Sequence, residues 1–229
     1  MTAIFAFVSA DVAFVAGDSL RSYAIWGAAR AHKVHIWSDR IVIGQCGDGK
    51  FLSELIEEVR TKQPFLEAIY PNQPDDERLL QSLAKFQPAH YANASKAFSS
   101  LASGSAHITG AILVASTADS FGPERISRFD FATGAYGRVP CPVAAEGAAP
   151  AQFLANAQAK LVARQALECP FAIDEWAADC LRDAITAHPL KVGWPLDLIL
   201  ARPSQCGRLT VTREMTGPSF TAGIPEFEL

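Results

Sequence analysis

Two short apolar runs open the chain, residues 3–8 and 12–17. The turn-forming "SAD" at 9–11 parts them, and this spacing predicts a β-hairpin. A second hairpin is predicted from "KVHIW" at 33–37 and "IVIGQ" at 41–45, joined by "SDR" at 38–40. The period then changes. Leu52, Leu55, Ile56 and Val59 recur at helical spacing, and Tyr91, Ala94, Phe98 and Leu101 mark the end of a second helix. Strand patterns resume in "HITGAILVAS" and "RISRFDF", on either side of the turn "TADSFGP". Helical stretches follow over about 150–167 and 174–187, and "PLDLILA" and "RLTVTR" close the series. The order ββββ αα ββ αα ββ pairs strands antiparallel and inserts helices in pairs. It predicts an α+β fold with two stacked antiparallel sheets sandwiched between helical layers.

The hairpin registers bring chemistry together. With the first turn centred on Ala10, Thr2 at the open end faces Asp18. With the second centred on Asp39, Lys33 faces Gln45, and Gly47 lies just past the strand end. If the hairpins are neighbours in one sheet, a hydroxyl, a carboxylate, a lysine and a glycine backbone converge on one edge of it.

Composition narrows the classes. At 229 residues and 49% hydrophobic content, the chain is expected to form a single domain over 1–229, with no linker, repeat or low-complexity tract. The longest polar stretch, "PNQPDDER" at 71–78, reads as a loop with a helix start. In the tail 214–229, Phe220, Ile224 and Phe227 lie beyond the last predicted strand, and such spaced apolar residues point to docking on the same or a neighbouring subunit. A net charge of -4 without a Lys/Arg cluster gives no support for a nucleic-acid or acidic-membrane partner. The apolar N-terminus has no basic leader region and is broken at Asp11, so it reads as neither a signal peptide nor a membrane span, and a cytoplasmic location is expected.

Five scattered cysteines, Cys46, Cys141, Cys169, Cys180 and Cys206, have no C-x-x-C spacing and are expected to be reduced. His32 and His35 stand at an odd offset, which on a strand sends them to opposite faces, so no metal site is expected there. Gly44 to Lys50 spells G-x-x-x-x-G-K, yet Phe51 stands where a phosphate-binding loop needs a hydroxyl for Mg²⁺. The plainer reading is a glycine-rich strand-to-helix turn. No cofactor is called for.

Removal of Met1, usual before a small side chain, would free an α-amine beside the Thr2 hydroxyl. An α-amine with a reference pKa of about 8 is near its titration point at neutral pH and can take the hydroxyl proton during attack. Lys33 would supply a nearby positive charge or a second proton acceptor, Asp18 would orient it and favour its charged form, and the Gly47 N–H would meet the oxyanion with no Cβ in the way.

The element order together with "MTAIFAF", "GDS" at 17–19, "AHKVHI" at 31–36 and "GQCGDG" at 44–49 resembles the proteasome β-subunit family of N-terminal nucleophile hydrolases, its bacterial ring-forming members above all. The resemblance covers most of the chain to about residue 213. The spacings Thr2 to Asp18 and Lys33 to Gly47 match the family pattern, and Thr2 to Lys33 is one residue shorter. It implies a four-layer αββα sandwich, the Ntn-hydrolase fold, and a threonine peptidase that cuts peptides or unfolded proteins. The catalytic residues would be Thr2, Asp18, Lys33 and Gly47. It further implies that Ser22 contacts the substrate backbone, and that Ala31, His35, Gln45, Gly49 and Ser53 shape a roomy, polar pocket for the side chain before the cut bond. Homo-oligomeric stacked rings of seven subunits are implied too, with no unfoldase partner identified. Two other readings are a non-catalytic ring scaffold and a small-molecule amidase with the same nucleophile. The chain departs from the pattern in two places. "AAEGAAPA" at 144–151 puts Glu146 or Ala145 where a serine is usual, and "AHPLKVGWPLD" keeps only Gly193 of an Asp-x-x-Ser-Gly turn.

Overall fold

A computed structural model describes residues 3–9, 12–18, 20–23, 27–30, 33–101, 108–147, 154–160, 173–188, 192, 196–202 and 205–211. Strands β1 (Ala3–Ser9) and β2 (Val12–Asp18) form the first predicted hairpin. Its register differs by one residue from the expected one: Ile4 pairs with Gly17 and Ser9 with Val12. The connection is therefore the two residues between Ser9 and Val12 and not a loop centred on Ala10, which brings Ala3 opposite Asp18. A short hairpin absent from the sequence reading follows, β3 (Leu20–Tyr23) with β4 (Gly27–Arg30). Strands β5 (Val34–Ile36) and β6 (Ile41–Gly47) then form the second predicted hairpin in the predicted register, Val34 on Gly44 and Ile36 on Val42. That register continues outward, since the Gln45 N–H donates to Lys33 O at 2.7 Å.

The remaining strands are β7 (Gly110–Ser116), β8 (Arg125–Asp130), β9 (Tyr136–Val139), β10 (Val143–Gly147), β11 (Leu196–Arg202) and β12 (Gln205–Val211). They complete two five-stranded antiparallel sheets, ordered β10-β1-β2-β11-β12 and β5-β6-β7-β8-β9. The two predicted hairpins thus belong to different sheets and share no edge. They meet through their faces. Ile4, Ala6, Ala13 and Val15 pack in one cluster with Val34, Val42, Leu113 and Ala115. Contact is closest at Gly44, where an added Cβ would lie 2.5 Å from Val15 Cγ1.

Alternation explains the rest of the core. The odd residues of β1, Ala3, Phe5 and Phe7, join a second cluster with Phe14 and Trp176, and Phe5, Phe14 and Trp176 meet edge to face. Trp176 lies on α4 (Ile173–Ala187), and its indole N–H donates to Ala157 O, on the helical stretch α3 (154–160), at 2.9 Å. A third cluster joins Ile41, Ile43, Ile112 and Val114 to α1 (Gly49–Ile69) and α2 (Asp75–Leu101). The predicted face Leu52, Leu55, Ile56 and Val59 is buried in it, and both helices run through a proline, Pro64 and Pro88. At the start of α2, Asp76 accepts from Arg125 Nε at 2.5 Å, and Arg125 also pairs with Asp119 at 3.0 Å, so the helix is pinned to the β7–β8 turn. The fold is mixed α+β with two antiparallel sheets and helices. Among the described residues, no helix is long and apolar enough to cross a membrane.

Candidate active site

Asp18 ends β2 and is fully buried. A buried carboxylate needs donors and a counter-charge, and two groups supply them at one oxygen: Ala3 N–H donates to Oδ1 at 2.9 Å, and Lys33 Nζ lies 3.0 Å from it. Lys33 itself is buried, just before β5. The pair therefore bridges the two sheets, with the amide of Ala3, the first described residue, held on the same oxygen as the lysine. Thr2 and Ala31 lie outside the described residues. Ser22 pairs with Ala28 in the β3–β4 hairpin, and its side chain lies outside the described part.

Gly47 closes β6 opposite Gly110 with φ +101, in the left-handed region. A Cβ there would come 2.2 Å from Thr109 O and 2.5 Å from Gly110 Cα. Asp48 alone separates Gly47 from Gly49, where α1 begins, so the glycine-rich segment is the strand-to-helix turn of the plainer reading. The contacts a Cβ would meet are backbone, which has little room to yield. Gly47→Ala is expected to lower stability by about 2–4 kcal/mol, read as a shift in the urea midpoint. A change under about 0.5 kcal/mol would show that this backbone is not constrained.

The predicted pocket residues His35, Gln45, Gly49 and Ser53 come together. Ser53 Oγ donates to Gly49 O at 2.6 Å, which uses its only proton, so it accepts from Gln45 Nε2 at 2.8 Å. The other amide hydrogen of Gln45 faces His35 Nε2 at 3.1 Å. This fixes the amide orientation and leaves Gln45 Oε1 buried with no hydrogen-bond partner among the described residues. An unpaired buried acceptor costs about 1–3 kcal/mol, so a donor arriving there is favoured.

On the opposite face of β6, Cys46 packs between the sheets. Burial, aided by the nearby Glu146 carboxylate, pushes its thiol up to about 12, so it stays protonated and is no rival nucleophile at neutral pH. Cys141 and Cys180 are free thiols as well. Sequence reasoning missed the partner of Glu146: Arg128, on β8, donates through Nε to Glu146 Oε1 on β10, a second ion pair across the sheets. The sequence holds no distinct signal for it, since Arg128 stands in "RISRFD" beside Arg125, Ser127 and Asp130. No protein-family model matches the chain, and no curated protein matches it either.

Proposed function

We propose that the chain is a threonine-type N-terminal nucleophile peptidase, a subunit of a self-compartmentalised homo-oligomer that hydrolyses peptide bonds. The observation that carries this reading is the buried Asp18–Lys33 pair seated on the Ala3 amide, one covalent step from Thr2. In this mechanism the Thr2 hydroxyl adds to the substrate carbonyl while its proton passes to the Thr2 α-amine. Lys33 offsets the growing negative charge, and the Gly47 N–H receives the oxyanion. The intermediate collapses to an ester as the α-ammonium returns the proton to the leaving amine, and water then hydrolyses the ester. The pocket of Gln45, His35 and Ser53 offers hydrogen bonding to the side chain before the cut bond. A four-layer αββα sandwich is supported by the three separate apolar clusters, one between the sheets and one on the helix side of each.

Assembly into stacked rings of seven subunits belongs to the same proposal. Phe65, Ile69 and Tyr70, exposed together at the end of α1, support an interface there. Sedimentation velocity at micromolar concentration is expected to show an oligomer, and a monomer would contradict this part.

The nucleophile is tested by intact mass before and after a threonine-directed electrophile, an epoxyketone or a β-lactone. Subunits lacking Met1 are expected to gain one probe. Subunits keeping Met1 are expected to gain none, because the Thr2 nitrogen is then an amide with a delocalised lone pair and cannot act as base. Absence of labelling on Met1-free protein would favour a non-catalytic scaffold. Equal labelling of both forms would transfer the base role to Lys33.

A further inference from the structure

Pro64 interrupts α1 shortly before its end at Ile69. Proline has no N–H to offer the Arg60 carbonyl, and its ring crowds that turn, so the helix is weakest there. The two sides of the break are held unequally. Before it, Leu52, Leu55, Ile56 and Val59 are buried, Arg60 Nη2 donates to Ile36 O at 2.9 Å, and the Arg60 guanidinium lies 5.3 Å from the centre of the Trp37 ring. After it, Leu66 alone is buried among residues 65–74. Phe65, Ile69 and Tyr70 are exposed. The next firm anchor is Asp76, buried at the start of α2 and bound to Arg125.

Contacts from both sides hold the intervening stretch down. Leu66 lines a small cavity together with Trp37, Val59 and Leu79. Arg78 reaches back from α2, donating through Nη1 to Tyr70 O at 2.8 Å and through Nη2 to Asp75. Gln63 Nε2 donates to Glu67 Oε1 at 2.7 Å, an exposed bond across the proline. The fit beneath is imperfect: the cavity interrupts the packing, and Gln73 Oε1 is buried with no hydrogen-bond partner among the described residues. A segment held this way opens at a free energy well below that of the whole fold. We propose that residues 65–74 form a hinged strap that swings out as one unit about Pro64, with Leu66 as its plug and Arg78 as its catch, and uncovers the apolar floor made by Trp37 and Leu79. Trp37 directly follows β5, so the strap governs access to the side chain just past that strand. It needs no nucleophile at Thr2, so it goes beyond the peptidase reading and stands or falls apart from it.

The test is hydrogen exchange of the full chain read by mass spectrometry, with hydroxyl-radical oxidation of Trp37 followed in parallel. Exchange is run at the lowest working concentration, because a neighbour seated on Phe65, Ile69 and Tyr70 would slow the strap. In the parent protein the amides of 65–73 are expected to exchange together, about a hundredfold faster than those of 52–59 after correction for intrinsic rates. Arg78→Gln removes the catch and is expected to speed exchange over 65–73 by about tenfold, leaving 52–59 unmoved. Pro64→Ala restores a donor to the Arg60 carbonyl at an exposed position and is expected to slow it by about tenfold or more. Oxidation of Trp37 is expected to rise in the first variant and fall in the second. Shifts of opposite sign confined to one segment are a signature that general loss of stability does not give. Equal exchange in 65–73 and 52–59 of the parent would overturn the proposal, as would variants that move the whole of α1 alike. Strap exchange that shifts while Trp37 oxidation stays put would overturn it too, because the strap would then open without uncovering its floor.

Discussion

Thr2→Ala is expected to lower peptide hydrolysis by about a thousandfold or more and to abolish labelling by a threonine-directed electrophile. The loss is kinetic alone. The substitution removes a hydroxyl and a methyl group but leaves the Ala3 amide that donates to Asp18, so the ion pair beneath the site keeps its backbone support. Melting temperature and sedimentation are expected to match the parent. Thr2→Ser, which keeps a hydroxyl next to the α-amine, should retain measurable turnover. Full activity in Thr2→Ala would end the nucleophile assignment. Loss of activity together with loss of fold would show that position 2 is structural.

Lys33→Met is expected to remove activity and stability together. Methionine fills the volume of the lysine stem, so the lost stability reports the charge rather than the packing. Asp18 is fully buried and would lose the counter-ion 3.0 Å from its Oδ1. Breaking such a pair costs about 3–5 kcal/mol. A companion change separates the two losses: Lys33→Met with Asp18→Asn removes both charges of the pair, so most of the stability is expected to return while hydrolysis stays absent. Denaturant midpoints of the two single variants and the double variant form the cycle. A double variant no more stable than Lys33→Met would mean that the pair is not coupled as the geometry indicates.

What could be read from the sequence follows from how local each feature is. The β5–β6 register was legible because apolar residues flank "SDR" symmetrically, and the helix face Leu52 to Val59 because its period is helical. The β1–β2 register was misjudged by one residue, since "SAD" allows a centre on Ala10 or between Ala10 and Asp11, and only cross-strand pairing chooses. Strands β3 and β4 have four residues each and show little alternation, and β9 is largely exposed, so none carries a period to detect. Sheet membership is not local at all. Still, β1 and β2 are buried on both faces, a pattern that asks for covering layers above and below and argues for hairpins stacked face to face rather than edge to edge. Within the site, Asp18 and Lys33 could be singled out as hairpin-end residues, but their pairing was not legible, because it runs between two sheets and not along one shared edge. The Arg128–Glu146 pair was not legible either, because it joins strands of different sheets and depends on how those sheets face each other.

Gly44 sets that facing. With no side chain it lets β6 approach Val15, and a Cβ there would sit 2.5 Å from the valine methyl. It also pairs with Val34, the neighbour of Lys33, whose amine must reach Asp18 on the opposite sheet. The spacing of the sheets and the reach of the lysine are therefore linked here, and Gly17 shares the constraint, since a Cβ on it would lie 3.4 Å from Val34 Cγ1. Drift in the core at this point would detune the charge pair before it unfolded the chain. Selection acting on the site would then hold the packing fixed as well, although Gly44 itself carries no reactive group.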